Sequence, residues 1–278
     1  MNDKTSLLTL LFSCFVLITF GQRTTAPLPK CKNGFIVIAH RGSHLIKPEN
    51  SIASIEEAID LGADYVEIDL RTSRDGHLVL MHNETVDHMT NGKGRIQDLS
   101  LGELGKLTLN AKDGHTYKLP LFKEALNACK NRINIYLDFK EADVPQAYAE
   151  IKAAGMEKQV LVYINTTAQY KSWRAIVPEM PLMSGLPKEI KTKEELDSFL
   201  DKMPLEATDC IPDPRLMTAI REKGLCVYLD VQMVDENPVK WKIAMDKEVQ
   251  GVQTDHPEAL IRYLQTNHLR NGLNAARP

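Results

Sequence analysis

Three runs decide how this chain is read: Ile36-Val37-Ile38-Ala39-His40-Arg41-Gly42, Tyr65-Val66-Glu67-Ile68-Asp69-Leu70 and Leu78-Val79-Leu80-Met81-His82. The first begins as a short continuous apolar run, as expected of a strand buried on both faces, and His40-Arg41-Gly42 falls where it ends. Asn50 is then a good helix N-cap. Ile52, Ile55 and Ile59 follow at helical spacing, and Gly62 is a natural stop. Strand, helix, strand is a βαβ unit. The third run follows Arg74-Asp75-Gly76, a tight turn that leaves no room for a crossover, so it reads as a hairpin arm. A turn centred between Arg74 and Asp75 sets His82 opposite Glu67 and Leu80 opposite Asp69, on one face of the sheet.

Outward from this stretch, residues 83–119 break the alternation with glycines, charges and a short helical patch over 99–107. Such an insertion reads as a lid or binding lobe. From Pro120 the alternation resumes. Strands are expected at residues 133–139, 160–164, 182–184, 206–208, 225–231 and 251–254, each followed by a helix. With the hairpin arm set aside the parallel strands number eight, and eight βα units in about 240 residues suit a closed barrel. The expected fold is therefore α/β, a (β/α)8 TIM barrel with a β-hairpin arm and a small insertion after the second strand. An open doubly wound sheet would carry a glycine-rich phosphate loop after its first strand, and none is present.

Composition narrows the partners. The hydrophobic fraction of 43% is globular, and a net charge of −3 argues against nucleic acid, whose binders carry a basic face. Residues 7–20 are mostly apolar behind a weakly basic start, too short for a membrane span of about 20 residues. Thr19-Phe20-Gly21 is a small-x-small pattern, so residues 1–21 read as an export signal cleaved before Gln22, the alternative being an uncleaved anchor. Residues 22–33 read as a linker and 34–270 as the barrel domain. No stable membrane insertion is expected after signal removal, and the mature chain is expected in the periplasm or secreted. Cys31, Cys129, Cys210 and Cys226 form no C-x-x-C pair, so a structural zinc site is not expected; buried free thiols are, with room for one disulfide.

In such barrels the site lies at the carboxyl ends of the strands. His40 and Arg41 leave the first strand. Glu67 and Asp69, two apart, point the same way at the end of the second, and Asp138 and Lys140 do so on the next parallel strand. His82 arrives on the arm. Each residue has a bland reading, as a backbone cap or a salt bridge, but charges inside a run as apolar as Val66-Glu67-Ile68-Asp69-Leu70 favour function. Glu67, Asp69 and Asp138 are hard oxygen donors that would repel one another without a cation between them, which points to one divalent ion, Ca2+ or Mg2+. His40 and His82 suit a general acid–base pair, and Arg41 and Lys140 suit a phosphate. The set matches phosphoryl transfer better than glycoside hydrolysis. His44, His77, His88, His115 and His268 read as surface or loop residues and His256 as a helix cap. Glu49 reads as either support for the site or plain surface, and Trp173 and Trp241 as packing.

At these residues the chain resembles the glycerophosphodiester phosphodiesterase family. The resemblance is carried by Ala39-His40-Arg41-Gly42, Pro48-Glu49-Asn50-Ser51, the run from Gly62 to Asp69, the run from Asp75 to His82, and Gly251-Val252-Gln253-Thr254-Asp255-His256-Pro257. It covers nearly the whole chain after residue 34. It implies hydrolysis of small-molecule glycerophosphodiesters to glycerol 3-phosphate and an alcohol, with a divalent cation. By its motif His40 and His82 match the acid–base pair, Glu67 and Asp69 metal ligands, and Arg41 a phosphate contact. Asp138 stands where the family usually has Glu, two before a matching Lys140. Leu229-Asp230-Val231-Gln232 stands where many members have Trp-Thr-Val-Asn, so an aromatic wall is lost and a carboxylate gained. The rival expectations are a phospholipase-D-like lyase on intact lipids, using the same rim, and a non-catalytic binding protein on the same barrel.

Overall fold

The computed structural model describes residues 26–232 and 235–270. The expected signal segment, 1–21, lies outside them. In chain order the elements are β1 (Ile36–Ala39), α1 (Ile52–Leu61), β2 (Tyr65–Thr72), β3 (Leu78–Leu80), α2 (Leu101–Leu104), α3 (Phe122–Cys129), β4 (Asn134–Glu141), α4 (Val144–Ala154), β5 (Val160–Ile164), α5 (Thr167–Ile176), β6 (Leu182–Met183), α6 (Lys193–Lys202), β7 (Ala207–Thr208), α7 (Met217–Glu222), β8 (Cys226–Asp230), α8 (Pro238–Asp246), β9 (Gly251–Thr254) and α9 (Pro257–Thr266).

Eight of the strands are parallel. β1 pairs with both β9 (Ile36 opposite Gly251) and β2 (Ile38 opposite Tyr65), so the sheet closes on itself. Both faces of these strands are covered, which is why their sequences run apolar without alternating. One face packs under the helices: Val37, Val66, Ile68, Ile135 and Leu137 join Ile55, Leu126 and Trp173 in the main core. The other fills the barrel: Ile36, Ile38, Tyr65, Tyr136, Leu161, Met183, Ala207 and Tyr228 form a second cluster. Each fully buried Leu, Ile or Val contributes about 1.5–3 kcal/mol. Among the described residues, Cys31, Cys129, Cys210 and Cys226 are all free thiols.

The arm is antiparallel to β2 as expected, but its register is one residue further on: Leu70 faces Leu80 and Arg71 faces Val79. The loop holds residues 73–77, with Ser73 N donating to His77 O at 2.9 Å and Gly76 N to Ser73 O at 3.0 Å, so the centre falls on Asp75. Asp69 therefore lies beside Met81, whose N–H donates to its carbonyl at 3.0 Å, rather than opposite Leu80, and Glu67 is not opposite His82. β3 is the seam between two cores. Leu78 and Leu80 belong to the main core, whereas Val79 and Met81 pack with Val86, Ile96, Leu104 and Leu109 of the inserted lobe. The helical patch expected over 99–107 is only α2, closed at its start by a Ser100–Glu103 capping box.

Residues 26–33, expected as a linker, contain no helix or strand and are tied to the amino ends of the strands. Ala26 N donates to Glu206 Oε1 (3.2 Å), Tyr65 Oη to Pro29 O (3.3 Å) and Asn134 Nδ2 to Lys30 O (3.0 Å). Leu28 and Cys31 pack on the cluster inside the barrel. This segment is the floor of the barrel, and the opposite end is open.

Candidate active site

The strands lift the site out of the core by the two-residue step of an extended chain. The inward residues Ile38, Tyr65, Tyr136, Leu161, Ala207 and Tyr228 are apolar or aromatic. Two residues on, the same faces present His40, Glu67, Asp138, Tyr163, Asp209 and Asp230, and a further step gives Asp69, Lys140, Asn165 and Gln232. With Arg41, His82, Tyr136 and Gln253 these line a cavity of about 210 Å³ at the carboxyl rim. All seven residues read from the sequence as site candidates line it.

The turn after β1 is built for the site. Arg41 (φ 51°) and Gly42 (φ 83°) are left-handed, which folds the chain against α1. A Cβ on Gly42 would lie 2.4 Å from Ser54 Oγ, so only glycine fits. The turn aims Arg41 N at Glu67 Oε2 (2.8 Å), while Arg41 Nη1 takes both oxygens of Glu49 (3.1 and 3.0 Å). Burial opposes the Arg41 charge, but Glu49, Asp69 and Glu67 outweigh it and raise its pKa. Arg41 Nε is buried without a hydrogen bond, 3.6 Å from Asp69 Oδ2. Asn50 is not the N-cap of α1. Ser51 is, in a capping box with Ser54. Asn50, left-handed at φ 53°, instead clasps Asp69: its Nδ2 donates to Oδ2 (2.8 Å) and its Oδ1 accepts from Asp69 N (3.0 Å).

Both histidines are held through Nδ1. His40 Nδ1 lies 2.6 Å from Asp255 Oδ1, and its Nε2 is 4.0 Å from Glu67 Oε2. Burial pulls the His40 pKa below its ordinary value, with Asp255 resisting. Burial likewise opposes charge on Asp255, but the hydrogen bond from His40 together with the nearby charges of His40, His44 and Arg41 outweighs it and holds that carboxyl below the usual range. His44 is not a plain surface residue: its Nδ1 meets His40 O at 2.8 Å and its ring stands edge-on to His40 at 5.7 Å. His256 sits at the N-cap of α9 but makes no side-chain cap bond. His82 follows the arm rather than a barrel strand. Its Nδ1 meets Asn83 Oδ1 at 2.8 Å, and its carbonyl accepts from Arg71 Nε (3.0 Å) and Nη2 (2.7 Å).

Oxygen atoms of Glu67, Asp69 and Asp138 lie within 4.8 Å of one another. Burial, then Asp69 and Asp138, hold the Glu67 carboxyl well above its usual range. Burial raises Asp138 too, against the pull of Lys140. Lys140 is ion-paired with Asp138 and lies 3.3 Å from Asp69 Oδ1, while Asn165 Nδ2 holds the other Asp138 oxygen at 2.8 Å. Four carboxylates (Glu49, Glu67, Asp69, Asp138) thus face two fixed cations (Arg41, Lys140). One divalent ion would match the excess, and all-oxygen donors suit Ca2+ or Mg2+. The residues present fit the group.

Some of the surrounding residues carried a sequence signal that could have found them. Asp209, Tyr163 and Asn165 stand at or just past strand ends, where rim residues belong. Asp255 lies in the Gly251 to Pro257 run without an assigned role. Asn50 lies in the Pro48 to Ser51 run but reads there as a helix cap, and Arg71 gave no such signal.

A closed parallel barrel with this rim defines an enzyme of the TIM-barrel hydrolase class. The sequence profile of the Glycerophosphoryl diester phosphodiesterase family matches residues 40–259, and the chain belongs to that family. It is an enzyme, a glycerophosphodiester phosphodiesterase. A glycerophosphodiester phosphodiesterase of Caldanaerobacter subterraneus is 48% identical over 83% of this chain and 98% of its own length. One from Bacillus subtilis is 26% identical over 80% of this chain and 84% of its own. In fold, the chain resembles a glycerophosphodiester phosphodiesterase of Agrobacterium tumefaciens (TM-score 0.71, 22% identity, 82% of this chain and 99% of that one). It also resembles an Oleispira antarctica phosphodiesterase in complex with the product sn-glycerol-3-phosphate (TM-score 0.69, 22% identity, 83% of this chain and 96% of that one). Among the described residues no helix is long and apolar enough to cross a membrane.

Proposed function

We propose that the enzyme is an exported, metal-dependent hydrolase that releases glycerol 3-phosphate and an alcohol from glycerophosphodiesters, with His40 and His82 as its acid–base pair. The observation that carries this reading is the pairing of a tight carboxylate cluster with two histidines, each pinned at Nδ1, in one cavity. Glu67, Asp69 and Asp138 would hold the divalent ion, Ca2+ or Mg2+, which when bound supplies charge neutralisation and polarisation of the phosphate. Arg41 and Lys140 bind and orient the phosphate oxygens. Fixing Nδ1 leaves Nε2 of each imidazole to move protons. One histidine takes the proton of the attacking oxygen, water or a neighbouring hydroxyl of the substrate. As the new P–O bond forms and the bond to the leaving alcohol breaks, the other gives that alcohol its proton. Export rests on the apolar run of residues 7–20, and sequencing the mature N-terminus should find Gln22 first.

A second reading, a lyase acting on intact lipids, draws on Leu45 and Ile46, two exposed large apolar side chains in the loop between His40 and α1. One assay separates the two. A panel of glycerophosphodiesters and intact lysophospholipids is followed with and without chelator, with Ca2+ and Mg2+ added back. The expected result is glycerol 3-phosphate from the diesters, lost on chelation and restored by the ion. Failure of every diester to yield glycerol 3-phosphate would falsify the reading.

A further inference from the structure

The cavity has a second wall that the chemistry above does not use. In the ring of eight strands, β7 and β8 stand four places from β2 and β4, across the barrel from the carboxylate cluster. Asp209 follows β7, Asp230 ends β8, and Gln253 on β9 pairs with Asp230 in register. Asp230 N–H donates to Asp209 O at 3.1 Å, so the three residues form one row across neighbouring strands.

The row is short of donors. Asp209 Oδ2 accepts from Tyr163 Oη at 2.9 Å, but its Oδ1 is buried without a partner. Gln253 is 8% exposed, and its Oε1 is also buried without a partner. Gln232 donates to both oxygens of Asp230, at 3.0 and 2.8 Å, and its own Oε1 is buried and unpaired. Buried acceptors are ordinarily satisfied, so three on one cavity wall point to donors brought by a ligand. The wall is also short of positive charge. Asp69 and Asp138 share Lys140, whereas Asp209 and Asp230 have no ion-pair partner among the described residues. Gly185 leaves room beside them: a Cβ there would lie 3.3 Å from Asp209 Oδ1 and 3.5 Å from Tyr163 Oη.

We propose that Asp209, Asp230 and Gln253 form the leaving-alcohol subsite, and that it selects an alcohol bearing a protonated primary amine. The proposal rests on the phosphodiesterase reading for where the phosphate sits. A primary ammonium brings one positive charge and three N–H donors, which answers both deficits. A neutral polyol brings donors without charge. A quaternary ammonium brings charge without N–H donors, so it would leave the buried acceptors of this wall unpaired.

The test is kcat/KM for glycerophosphodiesters whose leaving alcohol is 2-aminoethanol, ethylene glycol or the trimethylated amine. The expected result is a preference of about tenfold for the 2-aminoethyl ester over the 2-hydroxyethyl ester, as for one charge-assisted hydrogen bond. The trimethylated ester should fall below the primary amine, and the preference should collapse in the Asp209→Asn, Asp230→Asn double variant. Equal kcat/KM for the first two esters on the unaltered enzyme overturns the proposal while leaving the phosphodiesterase reading intact. If no diester is turned over, that reading fails instead. Calorimetry of 2-aminoethyl phosphate against 2-hydroxyethyl phosphate on the same protein then decides the subsite: about tenfold tighter binding of the amine upholds it, and equal binding overturns it.

Discussion

His40 and His82 are held by unlike means, and the difference tells what each should tolerate. If the two form the proposed acid–base pair, His40→Ala and His82→Ala should each abolish turnover while circular dichroism and Tm stay near those of the unaltered protein. Either variant retaining near-normal activity would remove the pair from the mechanism. Asp255 is subtler. It touches His40 Nδ1 and does not line the cavity. Asp255→Ala should therefore lower kcat by about tenfold or more with little change in KM, since it releases the proposed general acid–base without touching bound substrate. A change confined to KM would make Asp255 a binding residue. Residue types were legible in the sequence where they stood at strand ends: His40, Glu67, Asp69, Asp138 and Lys140 follow from apolar runs that stop abruptly. Asn50 was not, because a residue that suits an N-cap suits a left-handed turn equally well, and only the fold shows that it clasps Asp69.

At the scale of elements, the proposed mechanism depends most on the geometry of the arm. The barrel strands fix their own rim residues by pairing on both sides, but His82 lies beyond the last paired residue of β3. Arg71 compensates. It lies inward on β2, is 7% exposed, and grips the His82 carbonyl with two N–H groups. Arg71→Ala should lower kcat by about ten- to a hundredfold, as a misplacement of about 1 Å does, with amide exchange rising over the arm. Glu141 is the control: it pairs with Arg71 at 2.9 Å but its side chain is 52% exposed, so Glu141→Ala should change stability by no more than about 0.5 kcal/mol. Equal effects of the two substitutions would show that the ion pair, not the grip on His82, matters. The existence of the arm was legible from the short turn alone. Its register was not, because turn-centre counting misses the extra residue that Gly76 admits at φ 81°.

Across the whole molecule, closure of the barrel was legible by counting eight apolar runs, and the floor was not. Residues 26–33 have no periodicity, and what ties them down is a set of backbone groups meeting Glu206, Tyr65 and Asn134, which no local pattern announces. The same floor joins the two ends of the described chain. Arg270, just past α9, donates through Nη1 to Asp64 Oδ2 at 2.7 Å and through Nη2 to Gly62 O, and both charged side chains are 3% exposed. Asp64 in turn accepts from Val37 N (2.9 Å) and Asn33 Nδ2 (2.7 Å), so one carboxylate ties the entry to β1 to the end of the chain. Arg270→Ala would leave that carboxylate buried without its cation, at a cost of about 3–5 kcal/mol. For a chain of this size the Tm should fall by about 10 °C. Because the pair sits at the strands' amino ends, away from the rim, kcat below the transition should hold. Adding Asp64→Asn should recover part of the loss, since an amide can keep the Val37 bond without a charge to neutralise. A thermal scan and a rate measurement on the same samples suffice: an unchanged Tm, or a kcat that falls along with it, would mean that floor and rim are not separable parts.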